Sequence, residues 1–424
     1  MIDASRGFIK DGNNNRLREQ DIHRIVYTFA KQADVARYAR MVSVGEIADA
    51  KNDYNLNLPR YIDSSEPEDL HDIEGHLRGG IPERDLDALA DYWQVLPAVR
   101  AALFESAGRP GYAQLRLPLP EVRSTILNHP EFTAFNQTVT KLFGEWRKAS
   151  TTLLTAFDKD GHPKALIERV AEDLLAAFHT TPLLDAYDVY QHLMDYWAET
   201  MQDDAYLISA DGWVAKTARI LETDKRGRSK DKGWHCELIP KSYIVARYFA
   251  KEQARIDATQ TELETTGAGL AELEEEHGGE EGFLGVLDKI AKAEVNARLK
   301  EIKGDKDAKD EATLLKRWLE LSENETALKR SLKEQEAAVD TLAYERYPKL
   351  STAEIKSLVI DDKWMSCLSA TVQAELERVS QTITSRVWQL AERYAAPLPQ
   401  LTDEVALLAA RVEGHLAKMR ASWK

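Results

Sequence analysis

FAKEQARIDATQTELETTGAGL, running from Phe249 to Leu270, decides the fold class. Phe249, Ile256, Leu263 and Leu270 recur every seven residues among charged and polar neighbours, the pattern of a long helix with one narrow apolar seam. Such a seam needs a partner. A second run supplies it: Trp318, Leu332 and Val339 occupy one heptad position and Leu321, Leu328 and Leu342 the other, with Glu325 and Gln335 as exceptions. Between the runs, Gly278-Gly279 and the charged stretch Lys300 to Glu311 read as a flexible tip. A long antiparallel, coiled-coil-like helical hairpin is the economical arrangement.

Helical periodicity continues in both directions. Leu86, Leu89, Trp93 and Leu96 share a face between Asp85 and Leu103, and Leu183, Tyr187, Tyr190, Met194, Trp197 and Met201 form a continuous stripe. An earlier helix is predicted over Glu19 to Ala39. After Pro348, Leu358-Val359-Ile360 reads as a short buried segment, followed by a helix with Val372, Leu376, Val379, Ile383, Val387 and Leu390 on one face. Pro397 and Pro399 end it, and a last helix opening at Thr402 carries Val405, Leu408, Val412, Leu416 and Met419, completing a C-terminal helical pair. Only Trp213–Leu221 and Trp234–Ile239 suggest strands, pairing as a small β-hairpin. The chain is predicted to be mainly α in four parts: a tail and connector (1–62), a helical domain with the β-hairpin at about 213–239 (63–245), the long helical hairpin (246–350) and the C-terminal helices (351–424).

Composition bounds the function. The 424 residues are 43% hydrophobic and 8% aromatic, ordinary for a globular protein, and no apolar run approaches the roughly 20 residues that span a bilayer. With no signal peptide at the N-terminus either, a cytoplasmic protein without a membrane partner is expected. Cys236 and Cys367 lack the spacing of a zinc or redox site and read as buried, reduced thiols. A net charge of −15 opposes the coating of DNA by the whole surface. One island runs the other way: Lys216, Arg219, Lys225, Arg226, Arg228, Lys230 and Lys232 outnumber the acids between Trp213 and His235. Lys225, Arg226, Arg228, Lys230 and Lys232, at the hairpin tip, are candidate phosphate contacts, with a solvated mobile loop as the equal alternative.

Catalytic patterns are missing. No G-x-S-x-G turn, H-E-x-x-H or phosphate loop is present, and no G-x-G follows a strand-like run. Asp188, His192, Asp195 and Glu199 share a helical face, as in some metal-binding bundles, but a solvated acidic face opposite the apolar stripe explains them without a ligand, and no metal is assigned.

Five segments carry a resemblance: Asn52-Asp53-Tyr54-Asn55-Leu56-Asn57-Leu58-Pro59-Arg60-Tyr61, Phe8-Ile9-Lys10-Asp11-Gly12-Asn13-Asn14-Asn15, Gly79-Gly80-Ile81-Pro82, Asp185-Ala186-Tyr187-Asp188-Val189-Tyr190-Gln191 and Asp361-Asp362-Lys363-Trp364. Together they resemble the long form of the modification (M) subunit of type I restriction-modification adenine methyltransferases, over essentially the whole chain. The family's Asn-Pro-Pro-aromatic motif, which holds the flipped adenine, has no counterpart; Asn128-His129-Pro130-Glu131-Phe132 is wrong at both inner positions. The resemblance therefore implies the C-terminal, non-catalytic portion of a longer subunit, with Met1 an artificial or split-gene start. It implies S-adenosylmethionine as cofactor of the intact subunit only, assembly with the specificity (S) subunit, the restriction (R) subunit in the full complex, and double-stranded DNA reached through that complex. Val372, Leu376, Val379, Ile383, Val405, Leu408, Val412 and Leu416 are the candidate subunit contacts. The Asn52–Tyr61 stretch reads either as a connector whose Asn side chains satisfy backbone groups or as a border of the DNA cleft. A separate reading, an autonomous coiled-coil adaptor unrelated to DNA, rests on the heptads alone.

Overall fold

Helical periods dominate the sequence, and a computed structural model that describes residues 1–65, 70–223, 229–279, 282–287, 289–305 and 308–418 is accordingly mainly α. Two compact units divide it, residues 1–209 with 364–424 and residues 210–363. The division falls near residue 209 rather than 245, and the C-terminal stretch belongs to the first unit. The apolar face of residues 366–393 is buried there.

The first unit begins with the hairpin β1 (Ile9–Asp11) and β2 (Asn14–Arg16), followed by α1 (Glu19–Lys31). The helix stops short of Ala39 because Gln32 turns left-handed at φ +48° and its N–H bonds the Phe29 carbonyl. The chain then folds back, Ala39 bridging Ile2, and α2 (Val44–Ala48) starts on its Ser43 cap. Next come α3 (Ile73–Arg78), β3 (Ile81–Pro82), α4 (Glu83–Asp87), α5 (Ala90–Val95), α6 (Pro97–Leu103), β4 (Phe104–Ser106) and β5 (Tyr112–Leu115), with β5 central in its sheet. Where periodicity predicts one helix over Asp85–Leu103 there are three short ones, the last opening on Pro97, which cannot extend the preceding helix. Leu86, Trp93 and Leu96 are buried all the same.

Longer helices make the body of this unit: α7 (Leu119–Leu127), α8 (Pro130–Ala156), α9 (Pro163–Phe178), α10 (Ala186–Tyr196) and α11 (Gln202–Asp211). Asn128–Phe132 is simply a helix start, in which His129 Nδ1 accepts the Glu131 N–H at 3.2 Å and Pro130 takes the first turn. A π turn at Trp197–Met201 joins α10 to α11. Val189 and Leu193 thereby enter the core with Tyr190, Trp197 and Met201, while Tyr187 and Met194 stay half-buried.

In the second unit β6 (Ala218–Thr223) and β7 (Ser229–His235) pair antiparallel as the small hairpin expected, but both strands lie closer to the turn than predicted, leaving 213–217 and 236–239 outside them. α12 (Lys241–Tyr248) leads into α13 (Ala250–His277), α14 (Lys292–Glu301), α15 (Lys309–Arg346) and α16 (Thr352–Ser357). α13 and α15 form the predicted antiparallel hairpin: Thr259 meets Gln335, Thr266 meets Asn324, and Trp318 Nε1 donates to Glu274 at 2.9 Å. Ile256, Trp318 and Val339 are buried in the seam, but Leu342 is exposed and Ala343 takes its place, as a straight helix drifts away from a strict heptad. Part of its far end lies outside the described residues, and the described part carries a cluster. Leu284, Val295 and Ile302 pack on Leu315 and Trp318 in a small core of their own, which periodicity could not show because the apolar residues there are spread over a loop and a short helix. Near the other end, Asp340 accepts Trp234 Nε1 at 2.9 Å and Lys241 Nζ at 2.6 Å.

α17 (Ser366–Arg393) and α18 (Leu398–Lys418) return the chain to the first unit. α18 begins four residues before Thr402, since Pro399 in a first turn has no intrahelical bond to lose. Among the described residues no helix is long and apolar enough to cross a membrane.

Candidate assembly and DNA-contact surfaces

Of the proposed phosphate contacts, Lys225, Arg226 and Arg228 lie outside the described residues, and Lys230 is described only through its backbone pairing with Glu222. Lys232 Nζ is held by Glu222 Oε2 at 2.9 Å, and Arg219 faces Asp231 at 3.5 Å. Lys232 and Arg219 are thus ion-paired across the two strands of the hairpin. A phosphate at either would have to displace a carboxylate first.

The candidate subunit contacts separate into two classes. Val372, Leu376, Val379 and Ile383 of α17 are buried against α7 and α10, so they are core and not a free interface. Burial of four such side chains is worth about 6–12 kcal/mol, comparable with the whole stability of a typical domain, and a partner could not claim that face without unfolding it. α17 is anchored at its end by Tyr394, whose hydroxyl donates to Asp85 Oδ2 at 2.9 Å and whose ring packs on Gly75, where a Cβ would come within 2.9 Å of it. On α18, by contrast, Val405 is 65% exposed, Leu408 54% and Val412 56%, while Leu416 is half-buried. This helix touches α3 near its start and otherwise leaves its stripe uncovered.

The N-terminal segment is fastened to the helical body by the Asp185–Gln191 motif. Asp185 caps α10 by accepting the Tyr187 N–H at 2.9 Å, and its other oxygen lies 3.9 Å from Arg24 of α1. Gln191 Oε1 accepts the Gln20 N–H at 3.0 Å, closing an open donor in the first turn of α1. Arg24 lies over the rings of Tyr38, 4.3 Å away, and Tyr187, 5.4 Å away. Asp21 is raised by burial, but bonds from the Arg18 side chain and backbone outweigh this and leave the carboxyl below its ordinary range. Beside the joint, His23, Tyr27, Leu175 and Tyr187 line a cleft of about 530 Å³. Burial pushes the Tyr187 phenol up to about 12, so it stays neutral at pH 7 and can bond but not act as a base.

The other quoted segments are also structural. In the connector, Asn52 Nδ2 donates to the Glu46 carbonyl at 2.8 Å and Asn55 Oδ1 accepts the Asn57 N–H at 2.9 Å, the first of the two readings, while Tyr54 and Leu56 are exposed. Gly79 and Gly80 turn with φ +76° and +89° into β3, a conformation glycine adopts without strain. Lys363 Nζ donates to the Leu238 carbonyl at 3.0 Å in the second unit, and Trp364 Nε1 to Asp204 Oδ2 at 2.8 Å in the first. Periodicity does not reveal these two roles; a lysine beside a tryptophan at the end of an apolar run is the one local sign of a buried polar bond.

On the acidic face of α10, His192 Nε2 lies 2.8 Å from Glu375 Oε1 and Asp188 bonds Arg378 at 3.0 Å. Burial raises Glu375, yet bonds from His192 and Arg378 bring it below its ordinary value. Among the described residues no group of three His, Cys, Asp or Glu side chains is placed to hold a metal. Both thiols are free, Cys236 buried and Cys367 only partly so.

Residues 1–70 match the family model for N-6 DNA methylase. The match supports an adenine DNA methyltransferase family for that segment, about a sixth of the chain. No solved structure matches the chain. Among the described residues the strands pair antiparallel in sheets of two or three.

Proposed function

We propose that the chain is the C-terminal, non-catalytic portion of the M subunit of a type I restriction-modification adenine methyltransferase, acting in the cytoplasm in assembly with the S subunit and in clamping DNA, with the R subunit joining the full complex. The observation that carries this reading is the match of residues 1–70 to N-6 DNA methylase, in a segment bonded to the helical body through Asp185, Tyr187 and Gln191. The uncovered apolar stripe of α18 suits a helix of the S subunit, since burying three aliphatic side chains is worth about 4–9 kcal/mol before the costs of association.

Co-expression with the S subunit of the same operon, followed by size-exclusion chromatography with light scattering, tests the assignment. A stable complex is expected, abolished when Val405, Leu408 and Val412 are replaced by Asp while helical content is unchanged. Absence of any complex with the unaltered chain would refute it.

A further inference from the structure

The head of the helical arm is balanced in charge where its shaft is acidic: residues 278–318 hold nine Lys and Arg side chains and nine Asp and Glu. α13 carries Lys251 and Arg255 against eight carboxylates, and α15 beyond Leu319 is acidic as well, whereas Lys292, Lys300, Lys303, Lys309 and Lys316 cluster at the head. Two of the head's acids are already engaged. Arg298 binds Glu311 at 2.6 Å and Glu301 at 3.3 Å, on one flank of the α14–α15 pair.

Helix geometry puts the lysines on the other flank. At 100° per residue, Lys292 and Lys300 lie on the side of α14 opposite Glu294 and Glu301, and Lys303 follows in the turn beyond the helix. On α15, Lys309 and Lys316 are seven residues apart and point away from Glu311 to the same side, because the two helices face each other through Val295 and Leu315. Lys300, Lys303, Lys309 and Lys316 are exposed and form no ion pair among the described residues; Lys292 bonds the Thr326 hydroxyl at 3.4 Å. These lysines differ from Lys232 and Arg219 of the β6–β7 hairpin, which face carboxylates across the strands.

We propose that this flank of the arm head is a contact surface for the phosphate backbone of duplex DNA. Lysine ammoniums on flexible stems suit phosphate rather than base edges, and Lys292 and Lys300 lie about 12 Å apart along their helix, so they can serve separate phosphates. The acidic shaft repels the backbone along its length and confines contact to the head. The apolar core beneath holds Lys292 and Lys300 on α14 and Lys309 and Lys316 on α15. This extends the DNA-clamping reading and rests on it for the choice of duplex DNA.

The test is fluorescence anisotropy of the full chain with a labelled duplex of about 30 base pairs, starting near 20 mM salt. Replacing Lys300, Lys303, Lys309 and Lys316 by Gln should lower affinity at least tenfold and flatten the log-log salt slope by about 3–4 units. Replacing Lys141, Lys148, Lys159 and Lys164, exposed lysines of the first unit, makes the same change in net charge and should leave the slope near that of the unaltered chain. Equal losses in both variants, no duplex binding by the unaltered chain, or binding of anionic vesicles in place of duplex would each overturn the proposal. Failure to assemble with an S subunit would refute the assembly reading while leaving this result standing.

Discussion

Replacing Trp364 with Phe removes the indole donor from Asp204 inside the first unit. Trp364 is fully buried, Asp204 is 3% exposed, and they are 2.8 Å apart. Removing one partner of a buried hydrogen-bonded polar group costs about 1–3 kcal/mol, because water cannot replace the donor. The smaller ring also leaves a void, adding on the order of 1 kcal/mol if the walls do not close. A total near 3 kcal/mol should lower the melting temperature of a unit this size by roughly 6–12 °C. Hydrogen exchange localises the effect: protection should fall in α11 and α17 and remain in α13 and α15. Asp204→Asn keeps an oxygen acceptor and should cost less, and the double variant should cost less than the two single effects added, because the bond can be broken only once. A Trp364→Phe protein within about 0.5 kcal/mol of the unaltered one, the ordinary effect of a surface change, would refute the reasoning. So would a fall in protection confined to the second unit.

Leu328→Asp places a charge in the seam between α13 and α15 and should loosen the arm by about 2 kcal/mol, seen as faster exchange over 256–343 with the first unit unchanged. Acid should weaken the first unit through Glu375 and Asp21: both carboxyls titrate below their ordinary values when folded, so their stabilisation is present above pH 4.5 and 3.8 respectively and disappears as pH falls through the lower folded values. Asp21→Asn and Glu375→Gln should flatten that acid limb in denaturant titrations. Calorimetry should find no saturable micromolar site for S-adenosylmethionine; such a site would sink the non-catalytic reading.

Whether an element can be read from sequence depends on whether its signal is local. The α13–α15 pairing is legible because a seven-residue repeat survives whatever surrounds it, and a polar exception such as Gln335 is bonded across the seam. Breaks are less visible: Leu86 to Leu96 look like one helix because a period records which face is apolar, not whether the axis continues. The stripes of α17 and α18 are alike in sequence and opposite in fate, one buried and the other exposed, since tertiary packing decides which apolar face meets its own chain.

The same limit governs charge, and it bears on the basic hairpin. Seven cations between Trp213 and His235 stand out in an acidic chain, yet strand pairing sets Lys232 against Glu222 and Arg219 against Asp231. The lysines from Lys292 to Lys316 do not stand out, because acids alternate with them in sequence and only folding sorts the signs onto separate flanks. Lys225, Arg226 and Arg228, beyond the described strands, are the hairpin's own test. Neutralising them with Lys230 and Lys232 in a complex of intact M and S subunits should flatten the salt slope by roughly one unit for each phosphate no longer touched. An unchanged slope there, with weaker binding on neutralising the arm head, would mean that the hairpin is solvated surface and that DNA is met by the head.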